Sequence, residues 1–146
     1  MRRSQASVEF LITYSWAILI ILLVIGTLIY IQINPRNLVP ESCELNELDC
    51  LSHKIETDKI SLEIRNTVGQ KITIIRTDCE IDGSFYNTSL DIDLDPGKVN
   101  SSITCEGSFD LIPEDLVRAN VVVYYTIEGQ EFPRSTEGNV VGYVSS

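Results

Sequence analysis

Phe10-Leu11-Ile12-Thr13-Tyr14-Ser15-Trp16-Ala17-Ile18-Leu19-Ile20-Ile21-Leu22-Leu23-Val24-Ile25-Gly26-Thr27-Leu28-Ile29-Tyr30-Ile31-Gln32-Ile33 contains no charged residue over 24 positions. As a helix at about 1.5 Å per residue it reaches about 36 Å, enough to cross a hydrocarbon core of about 30 Å with some tilt. Thr13, Ser15 and Thr27 are tolerated in such a helix because their hydroxyls bond back to helix carbonyls. Tyr14 and Trp16 near one end and Tyr30 near the other suit the membrane interfaces. Asn34-Pro35 is expected to end the helix, since proline disfavours helical geometry in the residue before it. A cleaved secretory signal would have an apolar region of about 7–15 residues ending at a small-x-small site, and Tyr30-Ile31-Gln32-Ile33 offers none.

The flanks set an orientation. Arg2 and Arg3 precede the apolar run, while Glu41, Glu44, Glu47 and Asp49 follow it. The positive-inside rule then predicts a cytoplasmic N-terminus and an extracellular C-terminal domain. Glu9, at the mouth of the apolar run, is costly if it goes deep; at the surface it complements the helix dipole.

Beyond Pro35–Pro40 the hydrophobic pattern changes to period two. Ile60-Ser61-Leu62-Glu63-Ile64-Arg65 alternates cleanly, which predicts a strand with one buried face. Further strands are expected at Lys71–Cys79, Ser89–Leu94, Val99–Cys105, Asn120–Glu128, Gln130–Arg134 and Asn139–Val144. Asp95-Pro96-Gly97-Lys98 and Glu128-Gly129-Gln130 supply turn chemistry, and Pro113-Glu114-Asp115 suits a single helical turn. Seven short strands predict a small antiparallel β-sandwich of immunoglobulin-like type, so the fold class is α+β. The expected division after the apolar helix, which ends at 34, is 35–58 as linker and disulfide loop and 59–146 as the extracellular sandwich.

The net charge of −10 is unevenly spread. After the apolar run, nine bases face twenty acids. Such a surface repels phosphates, which argues against nucleic acid as a partner. The four cysteines, Cys43, Cys50, Cys79 and Cys105, allow three pairings in an oxidising compartment. The favoured set is Cys43–Cys50, closing a short loop, and Cys79–Cys105, joining two strands. Zinc is the rival, but there is no CxxC pair and His53 is the only histidine.

Asn87-Thr88-Ser89 and Asn100-Ser101-Ser102 fit the N-glycosylation pattern on expected surface loops. Asp91, Asp93 and Asp95 alternate as hard-cation ligands do, yet lack the glycine and distal glutamate of a calcium loop; they read as a solvated strand face, and no metal or cofactor is expected. His53 reads as a solvated loop residue. No serine or cysteine motif accompanies it, so no enzyme activity is expected.

Arg2-Arg3-Ser4-Gln5-Ala6-Ser7-Val8-Glu9-Phe10, followed by the long apolar helix, resembles the class III signal peptide of archaeal type IV pilin-like proteins. Gln5 to Leu19, Pro40-Glu41-Ser42-Cys43 and the closing Gly138-Asn139-Val140-Val141-Gly142-Tyr143-Val144 are similar to a subfamily with a small acidic outer domain. Ser4 stands where that family usually has glycine or alanine. The resemblance implies that a prepilin peptidase cuts between Ser4 and Gln5, which makes 1–4 a basic leader, 5–34 the membrane or assembly helix, and Glu9 fifth in the mature chain. It also implies that further copies of the chain assemble into a surface filament, with the helices in its core. In a packed bundle of apolar helices neither an ammonium nor a carboxylate remains unpaired, so Glu9 of one subunit is expected to neutralise the Gln5 amine of a neighbour. The other expectation compatible with these residues is a membrane-anchored binding module that never polymerises.

Overall fold

The computed structural model describes residues 2–33 and 39–146, in two units, Met1–Val39 and Pro40–Ser146. The first unit is one helix, α1 (Arg2–Ile33). Nothing in its sequence interrupts a helix, and leucine and alanine support it against the β-branched isoleucines. Its stretch Tyr14–Gln32 is long and apolar enough to cross a membrane. The described side chains from Tyr14 to Gln32 are all exposed. Thr27 Oγ1 donates to the Val24 carbonyl at 2.8 Å, as expected of a hydroxyl in such a helix. Asn34-Pro35 and most of the linker lie outside the described residues.

The second unit is an antiparallel β-sandwich of eight strands: β1 (Ser42–Leu45), β2 (Asp49–Ile55), β3 (Lys59–Arg65), β4 (Ile72–Ile81), β5 (Ser84–Leu94), β6 (Val99–Glu106), β7 (Leu116–Ile127) and β8 (Arg134–Tyr143). One sheet has the order β1-β8-β7-β4-β5 and the other β2-β3-β6. Strands β2 to β8 follow the Greek-key path of an immunoglobulin-like sandwich, and β1 adds an edge to the larger sheet. The alternation of β3 is realised as read: Ile60, Leu62 and Ile64 are buried while Ser61 and Glu63 are half-exposed. They meet Ile72 and Ile74 of β4 and Val121, Val123 and Tyr125 of β7 in one core. Ile75 is an extra residue in β4 opposite β7, where the register shifts between Ile74 and Arg76.

Four expectations are corrected. The sandwich begins at Ser42 rather than 59, because residues read as linker and disulfide loop form β1 and β2. The two strands are mostly polar, and as edge strands they bury little. Gln130–Arg134 is not a strand: it is the β7–β8 connection, in which Gln130 N donates to the Ile127 carbonyl at 2.9 Å, and β8 starts at Arg134. Pro113-Glu114-Asp115 is a β-turn rather than a helical turn, with Asp115 N donating to the Ile112 carbonyl at 3.2 Å and Glu114 at φ 73°. His53 lies on β2, not in a loop.

Two polar residues organise the connections at the end of the sandwich holding the β1–β2, β3–β4, β5–β6 and β7–β8 links. Asn66 is buried, and its side chain is fully engaged. Its Nδ2 donates to the carbonyls of Gln70 (2.7 Å) and Leu94 (2.8 Å), and its Oδ1 accepts from Val68 N at 2.9 Å. Its backbone bonds Lys98 and Gly97. One side chain therefore fixes two connections. Glu47, between β1 and β2, is held three ways. Its amide donates to Thr136 Oγ1 at 3.0 Å, its carbonyl accepts from Thr67 Oγ1 at 2.9 Å, and its carboxylate accepts from Tyr125 Oη at 2.5 Å.

Burial, with the Glu47 carboxylate second, pushes the Tyr125 phenol from 10.0 up to about 12. Between those values the unfolded chain loses a proton that the folded chain keeps, so stability falls as pH rises through the window. Tyr125→Phe is expected to flatten this decline and to cost about 1 kcal/mol at neutral pH through the lost hydrogen bond. Denaturant titrations of both chains below and within the window check it; parallel alkaline losses would refute the assignment.

Candidate functional site

The sequence placed candidate function at the head of α1, at the four cysteines, and at two sequons on expected surface loops. Ser4 and Gln5 lie in the first turns of α1, with side chains outside the described residues. Glu9 is one turn further on and exposed. Positions five and nine share a helix face, as residues four apart do. Glu9 precedes Tyr14, where the membrane-length stretch starts, by about 7.5 Å of helix axis. Its carboxylate therefore sits at the border of the apolar cylinder rather than within it.

Both favoured disulfides are present, and they consume all four thiols, which leaves none to hold zinc. Cys43 of β1 joins Cys50 of β2 across a Cα–Cα distance of 5.7 Å. Cys79 of β4 joins Cys105 of β6 across 6.3 Å. Each bridge links one sheet to the other, at opposite sides of the sandwich. The β1/β2 side has a second closure: Ile55 forms a parallel bridge with Val144, and Ser145 N donates to the Ile55 carbonyl at 2.8 Å.

Both sequons fall on the other side, on the edge strands β5 and β6 and not on the surface loops expected, because edge strands too leave polar side chains at the surface. Asn87 is exposed on β5, opposite Asp78. Asn100 is half-buried where β6 shifts register against β3, and its Oδ1 accepts from Ser102 N at 2.6 Å. Thr88 Oγ1 accepts from Glu106 N at 2.8 Å and so ties β5 to β6.

The aspartate run of β5 does not converge. Asp93 accepts from Thr73 Oγ1 at 2.6 Å and pairs with Lys71 at 2.8 Å; Lys71 first, then Thr73, holds its carboxyl below the usual range. Among the described residues no three His, Cys, Asp or Glu side chains gather as metal ligands. His53 is half-buried, with no hydrogen-bond partner for Nε2 among the described residues. A Cβ added to Gly142 would lie 2.6 Å from that nitrogen, so β2 and β8 approach closely here because position 142 has no side chain. Sequence reading missed Glu47, Asn66 and Tyr125 as organisers. Their only signal is a polar residue or tyrosine beside a buried strand, and many solvated residues share it.

No protein-family model matches the chain, and no curated protein does.

The bridges differ in access: Cys43 and Cys50 are half-buried, whereas Cys79 and Cys105 are 1% and 0% exposed. Mild dithiothreitol is expected to reduce Cys43–Cys50 in the folded protein and to spare Cys79–Cys105 until unfolding. Alkylation followed by peptide mass spectrometry reads the order. Losing Cys79–Cys105 should cost about 3–4 kcal/mol in the chain-entropy view, and losing Cys43–Cys50 less, because its loop is shorter.

Proposed function

We propose that this chain is a pilin-like structural subunit of an archaeal type IV pilus-like surface filament, with α1 in the filament core and the acidic sandwich displayed outward. The observation that carries this reading is the pairing of an apolar helix exposed all round with the segment Arg2-Arg3-Ser4-Gln5…Glu9 at its head. A helix apolar on every side needs lipid or other apolar helices around it. A filament of sister copies offers the second after the first.

In this reading the subunit waits in the membrane with its N-terminus cytoplasmic and its sandwich outside, where the compartment permits both disulfides. A prepilin peptidase cuts between Ser4 and Gln5, removing Arg2 and Arg3 and leaving a new ammonium on Gln5. With the basic anchor gone, the helix is freer to leave the bilayer. Glu9 then matches the amine of a neighbour, because an unpaired charge among packed apolar helices is strongly unfavourable. That match sets the stagger between subunits. Glycans on Asn87 and Asn100 would cover the β5/β6 side, and display of the outer domain suits adhesion. The net charge leaves nucleic acid an unsuitable partner. Ser4, at a position where the resembled family has glycine or alanine, favours the second reading: a single-pass anchored binding module that keeps its leader and stays unpolymerised.

N-terminal sequencing from the native envelope separates the two, with Gln5 first for the filament and Met1 or Arg2 first for the anchor. Glu9→Gln is expected to abolish or strongly slow filament formation, seen by electron microscopy of sheared surface material, while membrane levels stay unchanged. Filaments of normal abundance from that variant would refute the pairing. Glycopeptide mass spectrometry is expected to find Asn87 occupied more fully than Asn100, whose amide oxygen is already engaged.

A further inference from the structure

A row of four polar side chains ending in a phenylalanine crosses the outer face of the larger sheet, apart from the core, and within it Asn120 Nδ2 donates to Glu80 Oε2 at 3.4 Å. Register sets Glu44 opposite Asn139, Asn139 opposite Asn120, Asn120 opposite Glu80, and Glu80 opposite Phe85. Directly opposed residues on antiparallel strands share a face. Five side chains from β1, β8, β7, β4 and β5 therefore stand in one line, about 19 Å long at the usual strand spacing of about 4.8 Å. Their neighbours along each strand confirm the direction, since Cys43, Val140, Val121 and Cys79 point inward. Glu137 stands one step along the face. With the first four of the row it lines an open concavity of about 400 Å³. At the far end Phe85 is 76% exposed.

The lining narrows the ligand class. Three carboxylates repel an anion, and the polar walls do not suit an apolar chain. Carboxamides present both a donor and an acceptor, and carboxylates accept only. Together they match vicinal hydroxyls, each of which donates and accepts. An exposed aromatic ring at the end of the row offers a face to the C–H side of a pyranose. A basic partner would need only the acids. The sandwich answers positive charge with local pairs, such as Lys71–Asp93 and Arg65–Asp49, and not with amides.

We propose that this trough binds a neutral oligosaccharide, its hydroxyls shared among Glu44, Asn139, Asn120 and Glu80 and one ring packed on Phe85. The site does not rest on polymerisation and holds equally for an anchored chain.

The test uses the full chain in detergent micelles and a panel of neutral hexose and N-acetylhexosamine oligosaccharides, read by saturation-transfer NMR. At least one member is expected to receive saturation at millimolar concentration. Asn120→Ala and Phe85→Ala should each weaken that sugar by about tenfold or more. Ser61→Ala, on the other sheet, should leave it unchanged. Asn120 and Phe85 are exposed, so both variants are expected to fold, and thermal unfolding verifies it. Absence of transfer from the whole panel, or affinities in folded Asn120→Ala and Phe85→Ala equal to the parent chain, would overturn the proposal. So would binding of oligolysine with no sugar bound, which would assign the trough to a basic partner.

Discussion

The apolar surface of α1 is the constraint to which everything else in the chain answers. From Tyr14 to Gln32 the helix leaves every described side chain exposed. In water such a surface would associate indiscriminately. Apolar surroundings suit such a helix, and its stretch Tyr14–Gln32 is long and apolar enough to cross a membrane. Two arginines before it and the acids after it make the flanks electrically unequal, the property on which orientation across a bilayer depends. At its head Glu9 sits at the border of the apolar cylinder, where a carboxylate costs little in a bilayer.

The sandwich solves a different problem. A sandwich of a five-stranded and a three-stranded sheet has four edge strands, each a template for unwanted pairing. On one side β1 and β2 are joined by Cys43–Cys50 and closed by the Ile55–Val144 bridge. On the other, Cys79–Cys105 holds the sheets together beneath β5 and β6, and Thr88 ties the two edges. The register shift on β5 and its alternating aspartates further discourage an incoming strand. Acidic composition, bridges and bulges serve one end here: a sandwich whose edges do not fuse with those of other chains.

How far the sequence disclosed this depended on how much each strand buries. β3, β4, β6 and β7 alternate because one face is in the core, and period two announced them. β1 and β2 are edges whose residues, such as Glu44, Ser52 and Lys54, are mostly wet. Their pattern is therefore weak, and the cysteines were a better guide to their pairing than hydropathy. Gln130–Arg134 carried an apparent alternation through Phe132, but that ring is 79% exposed and the segment only connects β7 to β8. Pairing of the cysteines was legible, because a short loop and a strand-to-strand link were the economical solution. The trough was not, since its row exists only once five strands are in register.

Strand β8 shows how one segment can satisfy several of these demands at once. It lies between β1 and β7, and its close contact with β2 at the sandwich edge leaves little room. A side chain at position 138 would collide with the backbone carbonyl of Glu44, so glycine there lets β1 dock. Glycine at 142 makes room for the ring of His53 in the same way. Between them Val140 fills the core, and Asn139 points outward into the polar row. The motif Gly138-Asn139-Val140-Val141-Gly142 thus needs no ligand to account for its two glycines, which answer to packing. Its asparagine is exposed and stands outside the core, as half-exposed Val141 does on the same face. A residue free of structural duty, held in line by neighbours that are not, is where a binding function can be added without cost to the fold.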